Sequence, residues 1–164
     1  MKFLADAMLG KLTRWLRMLG QDVVYSVEFN DSELLELAKN EKRALLTKDF
    51  ELYKRAIGRG LDAYYVGDNI ESQRLAKVAK RYDLQLTVDM DKSHCPVCNS
   101  KLAAIPKEQL QRELKKNTIT YYDKFWKCHN CGQIYWQGAH WTQINSTLSQ
   151  AKTKLKKLKE NNGV

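Results

Sequence analysis

Over the first ninety positions short, β-rich apolar runs alternate with stretches whose apolar residues recur with a period near 3.6, which outlines a repeating order of strand and helix. Lys2-Phe-Leu-Ala-Asp6 reads as a short buried strand. A helix follows from Ala7 to Leu19, with Met8, Leu9, Leu12, Trp15, Leu16 and Leu19 on one face and Gly20 at its C-terminus. The order recurs as strand 22–26, helix 32–39, strand 43–47, helix 50–59, strand 62–66, helix 70–82 and strand 84–88. Five strands alternating with four helices predict right-handed crossovers and a mostly parallel sheet covered on both faces.

An open parallel sheet places its site at the carboxyl ends of the strands. Asp6 ends the first strand, Asp49 lies just beyond the third, Asp68 follows the fourth, and Asp31 opens the second helix. Carboxylates gathered on one rim repel one another and need a cation or protons, and oxygen-preferring Mg²⁺ or Mn²⁺ suits them. Each of the four also precedes a helix, where aspartate is a favoured cap. Asp68-Asn-Ile-Glu71 has the spacing of a capping box, which assigns Asp68 to a cap. Asn30-Asp31-Ser32-Glu33 offers other caps and frees Asp31. On the first helix, Lys11, Arg14 and Arg17 recur at i, i+3 and i+6 beside Asp6, a spacing that suits a phosphate as well as a solvated face.

Charge changes the picture for the remainder of the chain. Residues 1–90 carry 15 Lys/Arg against 14 Asp/Glu, and residues 91–164 carry 13 against 5. A near-neutral unit joined to a strongly basic one predicts a polyanion partner, with nucleic acid ahead of an anionic membrane. No window approaches the roughly 18 consecutive apolar residues of a membrane span, and Asp6, Lys11, Arg14 and Arg17 interrupt the first apolar stretch. A cytoplasmic protein without a membrane anchor is the expectation.

All four cysteines sit in two C-x₂-C knuckles, Cys95-Pro-Val-Cys98 and Cys128-His-Asn-Cys131. Two such knuckles complete a closed tetrahedral Zn²⁺ site, which leaves His94, His129 and His140 outside it. Paired knuckles in a cytosolic chain favour metal over disulfides, and neither knuckle opens a helix as a redox pair would. The 29 residues from Asn99 to Lys127 predict a short helix around 106–116. Near the second knuckle Tyr121, Tyr122, Phe125, Trp126, Tyr135, Trp136 and Trp141 interleave with Lys124 and Lys127, which suits single-stranded RNA, with about half the rings expected in a small core. His140 faces either RNA or the acidic rim in this reading, or serves as a structural residue. From Thr147 onward Leu148, Ala151, Leu155 and Leu158 alternate with five lysines as a basic amphipathic helix, open between docking on its own protein, docking on rRNA or membrane phosphate, and a solvated tail.

Phe3-Leu-Ala-Asp6-Ala-Met-Leu-Gly10-Lys-Leu-Thr-Arg14-Trp-Leu-Arg17, Asn30-Asp31-Ser-Glu, Leu45-Leu-Thr47-Lys-Asp49, the two knuckles, and Ile134-Tyr-Trp136-Gln-Gly138-Ala-His140 together resemble the Mut-seven C-terminal RNase domain family. The resemblance spans about residues 2–141. It implies a three-layer PIN-like nuclease domain over 1–90, a Cys₄ zinc ribbon over 91–146, and metal-dependent RNA cleavage, with a basic tail over 147–164 outside the match. The family's acidic residues fall on Asp6, Asp31 and Asp49. Lys48 stands where Arg is usual, and Ala139 where Ser is common. The expected enzyme is a Mg²⁺- or Mn²⁺-dependent endoribonuclease acting on single-stranded RNA, tRNA or rRNA. Lys11, Arg14, Arg17, Lys48, Lys124, Trp126, Lys127, Trp136 and His140 would contact the strand. The rival is a non-catalytic RNA- or ribosome-binding factor with the same scaffold.

Overall fold

The computed structural model describes residues 1–161; Asn162, Gly163 and Val164, the end of the expected tail, lie outside the described residues. Strands β1 (Lys2–Ala5), β2 (Asp22–Tyr25), β3 (Ala44–Thr47) and β4 (Ala63–Tyr65) form a parallel sheet in the order β2-β1-β3-β4. Alternate residues of a strand point to opposite faces, so each strand feeds two cores. Phe3, Ala5 and Leu46 meet α1 (Gly10–Met18) and α4 (Glu71–Tyr82), whereas Leu4 and Leu45 meet α2 (Asp31–Glu41) and α3 (Phe50–Gly58). The result is three layers, with β1 and β3 central.

The expected fifth strand is absent among the described residues. Residues 84–88 bury Leu84 and Leu86 but pair with no strand. Their alternation reports one buried side, which a loop pressed against the first core provides as well as a strand does. The first helix also departs from expectation. A 3₁₀ turn over Ala7–Leu9 precedes α1, and Met8, expected on the apolar face, is exposed.

The second region holds an antiparallel sheet, β5 (Leu102–Ile105), β6 (Phe125–Cys128) and β7 (Ile134–Tyr135), in the order β5-β6-β7. Its connecting segment forms a 3₁₀ turn over Lys107–Leu110 and α5 (Lys116–Tyr121) in place of one helix over 106–116. Leu110, the fully buried residue of that stretch, packs with Phe125 and Ile134 and anchors a turn without selecting a longer helix. The last element, α6 (Trp141–Glu160), lies along α4, with Leu148 and Ala151 buried in the first core. The amphipathic helix therefore docks on its own chain, and it begins at Trp141. No helix among the described residues is long and apolar enough to cross a membrane.

Candidate active site and metal centre

In a sheet of order 2-1-3-4 the crossovers reverse direction between β1 and β3, and open parallel sheets place their sites beyond the carboxyl ends of the strands at such a point. Asp6 follows β1 and Asp49 lies two residues past β3, so these acids flank the switch point. Asp6 is buried, and Thr47 joins it to Asp49. The Thr47 hydroxyl donates to Asp6 Oδ2 and accepts from the Asp49 N–H at 2.9 Å. The Lys48 N–H donates to the same Asp6 oxygen at 2.7 Å, and the Met8 N–H donates to Oδ1 at 2.9 Å. Asp49 Oδ1 accepts from Glu51 and Leu52 N–H groups at 2.8 and 3.1 Å, capping α3. Both acids are thus helix caps, and capping occupies only part of each carboxylate. An ionised carboxylate offers about four acceptor positions. Asp49 Oδ2 has no hydrogen-bond donor among the described residues, and Asp6 Oδ1 has a single one.

Asn30 and Glu33 form the capping box of α2, which leaves Asp31 free of capping, as the sequence allows. Asp31 Oδ2 instead pairs with Arg55 on α3 at 2.7 Å. Asp68 is not the cap its spacing suggests: Ile70 occupies the N-cap of α4 without a side-chain bond, and Asp68 pairs with Lys77 at 2.9 Å. A hard divalent cation fits the kind of donors that Asp6 and Asp49 present. Asp6, Asp31 and Asp49 do not, however, form a preassembled trio. Among the described residues the four cysteines are the group of three or more His, Cys, Asp or Glu side chains whose ligand atoms all lie within 4.8 Å.

Lys11, Arg14 and Asp49 are exposed, and Lys48 is half-buried with its Nζ on Asn69 Oδ1 at 3.2 Å. Tyr25, at the end of β2, closes over the start of α1 and donates its hydroxyl to Ala7 O at 3.0 Å. Gly10 admits that ring, since a Cβ there would lie 2.8 Å from the Tyr25 oxygen.

Arg17 needs correction as a phosphate ligand. It is buried, and its guanidinium donates to Val23 O at 3.1 and 2.8 Å, to Pro96 O at 2.9 Å and to Val97 O at 3.1 Å. A planar fork of donors here ties β2 to the first cysteine knuckle. Burial lowers the Arg17 pKa from its ordinary value, against an opposing pull from Cys95 and Cys98. Asn99 makes a second tie. It adopts a left-handed backbone, φ 70°, at the end of the knuckle, accepts from Val23 N–H at 2.9 Å and donates to Asp22 Oδ1 at 2.7 Å. Asp22 also pairs with buried Arg43 at 3.0 Å.

The four thiols are unlinked and converge, with Cys98 and Cys128 sulfurs 3.3 Å apart and Cys95 and Cys131 sulfurs 3.6 Å apart. Thiolates placed tetrahedrally about 2.3 Å from zinc stand about 3.8 Å from one another, so the cluster can hold such an ion. Burial opposes ionisation of Cys98, but hydrogen bonds from Asn130, Ser100 and Cys128 outweigh it and bring the thiol down to about 5. The Gln133 N–H favours the Cys131 thiolate, yet burial and the three neighbouring sulfurs push it up to about 12. Four like charges need a dication to coexist.

The aromatics near the second knuckle divide. Phe125 and Trp126 are buried, and Trp126 donates its ring N–H to Asp91 at 2.8 Å, so Trp126 is packed where RNA contact was expected. Trp136 is half-buried against Tyr122 and Phe125. Lys127 pairs with Glu113 at 2.8 Å, whereas Lys124 and His140 are exposed. His94 Nδ1 lies 2.6 Å from Asn99 O, outside the thiol cluster. Sequence reasoning missed Phe50 and Tyr65, large apolar residues left exposed beside Asp49. An aromatic residue immediately after a rim aspartate was the available signal.

No curated protein and no solved structure matches the chain. Residues 1–148 match the model of the family described as the Mut7-C RNAse domain, and the chain belongs to that family.

Proposed function

We propose that the protein is a metal-dependent endoribonuclease whose centre is the pair Asp6 and Asp49. The observation that carries this reading is the Thr47 hydroxyl, which bonds to both residues at the switch point of the sheet, where Asp49 Oδ2 has no protein donor among the described residues and Asp6 Oδ1 has a single one. Family membership supports RNA as the substrate class. Asp6 and Asp49 would hold Mg²⁺ or Mn²⁺, with Asp31 as a third ligand once it leaves Arg55. When bound, such an ion activates water for in-line attack on phosphorus and offsets charge on the leaving oxygen.

The chain's own part is positioning. Thr47 and the Lys48 N–H fix the Asp6 carboxylate, so its orientation is set before substrate arrives. Lys11, Arg14 and the Lys48 side chain attract the phosphate backbone, in tRNA, rRNA or another single strand. Attack at phosphorus with departure of the 3′ oxygen yields 5′-phosphate and 3′-hydroxyl ends. The cysteine cluster, with every ligand position closed, would hold structural Zn²⁺ and carry Lys124 and His140 as outer contacts to the strand.

The Asp31–Arg55 pair favours a second reading, an RNA- or ribosome-binding factor without catalysis, because it withholds one acid from the rim. One experiment separates them. Purified protein is incubated with end-labelled single-stranded RNA and Mn²⁺, beside Asp6→Asn and Asp49→Asn. The nuclease reading expects cleavage by the wild type alone, and equal product from all three proteins would overturn it.

A further inference from the structure

Phe50 is the first residue of α3, directly after Asp49, and Tyr65 is the last residue of the edge strand β4. Their rings meet edge to face at 5.4 Å, and Tyr53, one turn along α3, stacks on Phe50 at 5.9 Å and lies 6.3 Å from Tyr65. Packing of this kind normally hides aromatic surface, yet Phe50 remains 52% exposed and Tyr65 39% exposed. The loop after β4 passes close to Tyr65: a Cβ at Gly67 would lie 2.7 Å from the ring.

A cation borders the rings. Lys54 Nζ lies 5.4 Å from the Phe50 centroid while pairing with Glu51 at 2.6 Å, and Lys48 precedes Asp49 in the chain with its Nζ on Asn69. We propose that Phe50 and Tyr65 are a stacking platform for unpaired nucleobases of an RNA strand passing the Asp6–Asp49 rim. Every base has a face that stacks on an aromatic ring, while a lysine beside the rings meets the phosphates. Duplex RNA keeps its bases within the helix and cannot use such a platform. A stable protein partner would need an interface of the order of 1,000 Å², and three mutually packed rings supply a small part of that. Trp126, expected to stack bases, is unavailable because it is buried. The platform rests on the nuclease reading for its substrate class and gives that site a preference for single strands.

The test measures binding without cleavage, by anisotropy of a labelled twelve-nucleotide oligouridylate with zinc-loaded protein and no added divalent ion. A blunt RNA duplex and an abasic ribose-phosphate strand of equal length are the comparison probes. Phe50→Ala and Tyr65→Ala are expected to weaken oligouridylate binding about tenfold, with unchanged affinity for the abasic strand and the duplex. Phe50→Leu preserves bulk and is expected to bind as poorly as Phe50→Ala, whereas Phe50→Trp retains affinity. If Phe50→Ala misfolds, the Leu and Trp variants decide the question. Equal oligouridylate affinity in all variants would overturn the platform, as would an equal loss on the abasic strand. Unchanged RNA affinity with a dimer-to-monomer shift in sedimentation would assign the rings to a second copy and also overturn it. A wild type that binds through these rings but never cuts with Mn²⁺ refutes the nuclease reading alone.

Discussion

Thr47 and Asp6, 41 residues apart in the chain, share a buried hydrogen bond at the carboxyl end of the sheet. The same hydroxyl accepts from the Asp49 N–H, so one β-branched side chain joins both candidate metal ligands. Thr47→Val keeps the shape but removes donor and acceptor together. Urea unfolding is expected to show a loss of about 1–3 kcal/mol, the usual cost of stranded buried polar groups. Cleavage is expected to fall at least tenfold, and Thr47→Ser to restore most of both.

Arg17 holds the first cysteine knuckle against β2 through carbonyls of Val23, Pro96 and Val97. Arg17→Met leaves these acceptors without their charged donor and is expected to cost about 3 kcal/mol in chemical denaturation. Arg17→Lys should rescue little of it, since an ammonium cannot reproduce the planar fork. RNA affinity of the folded variant is expected to change little, in contrast to Lys11→Ala and Arg14→Ala.

Asp22 gives the protein an acid-sensitive joint. Its burial opposes ionisation, but hydrogen bonds from Arg43 and Asn99 and the charge of Arg43 outweigh burial and hold its pKa below the ordinary 3.8. The unfolded chain therefore takes up this proton more readily. The resulting stabilisation is complete above the unfolded value and is lost as pH falls through the lower folded value. Melting temperatures of wild type and Asp22→Asn, taken between pH 6 and pH 2, are expected to differ most at the upper end and converge at the lower. Protonation of the thiols acts alike on both proteins, so the difference between them isolates Asp22.

Arg55 pairs with Asp31 at 2.7 Å, and in the proposed site it would compete with the cation for that acid. Arg55→Gln removes the competitor while leaving the acid in place, and calorimetric titration is expected to show Mn²⁺ binding several-fold tighter. Asp31→Asn is expected to have the opposite effect.

The four parallel strands were legible because each carries an unbroken apolar run whose burial the three-layer sheet demands. Leu84 and Leu86 misled because period-two burial does not reveal whether a backbone is paired. Asp6 and Asp49 were readable from their place after strands, and the four cysteines from spacing alone. Arg17 was not, because its partners Pro96 and Val97 lie 79 and 80 residues away and helical spacing says nothing of what docks there. Asp68 failed as a cap for a similar reason: Lys77, nine residues on, claims its carboxylate. The exposed face of Phe50 was hidden too, since a lone aromatic in a helix usually joins the core.

The central claim is that Asp6 and Asp49 bind one divalent ion between them. Electron paramagnetic resonance of Mn²⁺ added to zinc-loaded protein measures this directly, without RNA. The account expects a bound Mn²⁺ site in the wild type that disappears in Asp6→Asn and in Asp49→Asn while the thiol site keeps its zinc. A Mn²⁺ stoichiometry and affinity unchanged by either substitution would contradict it.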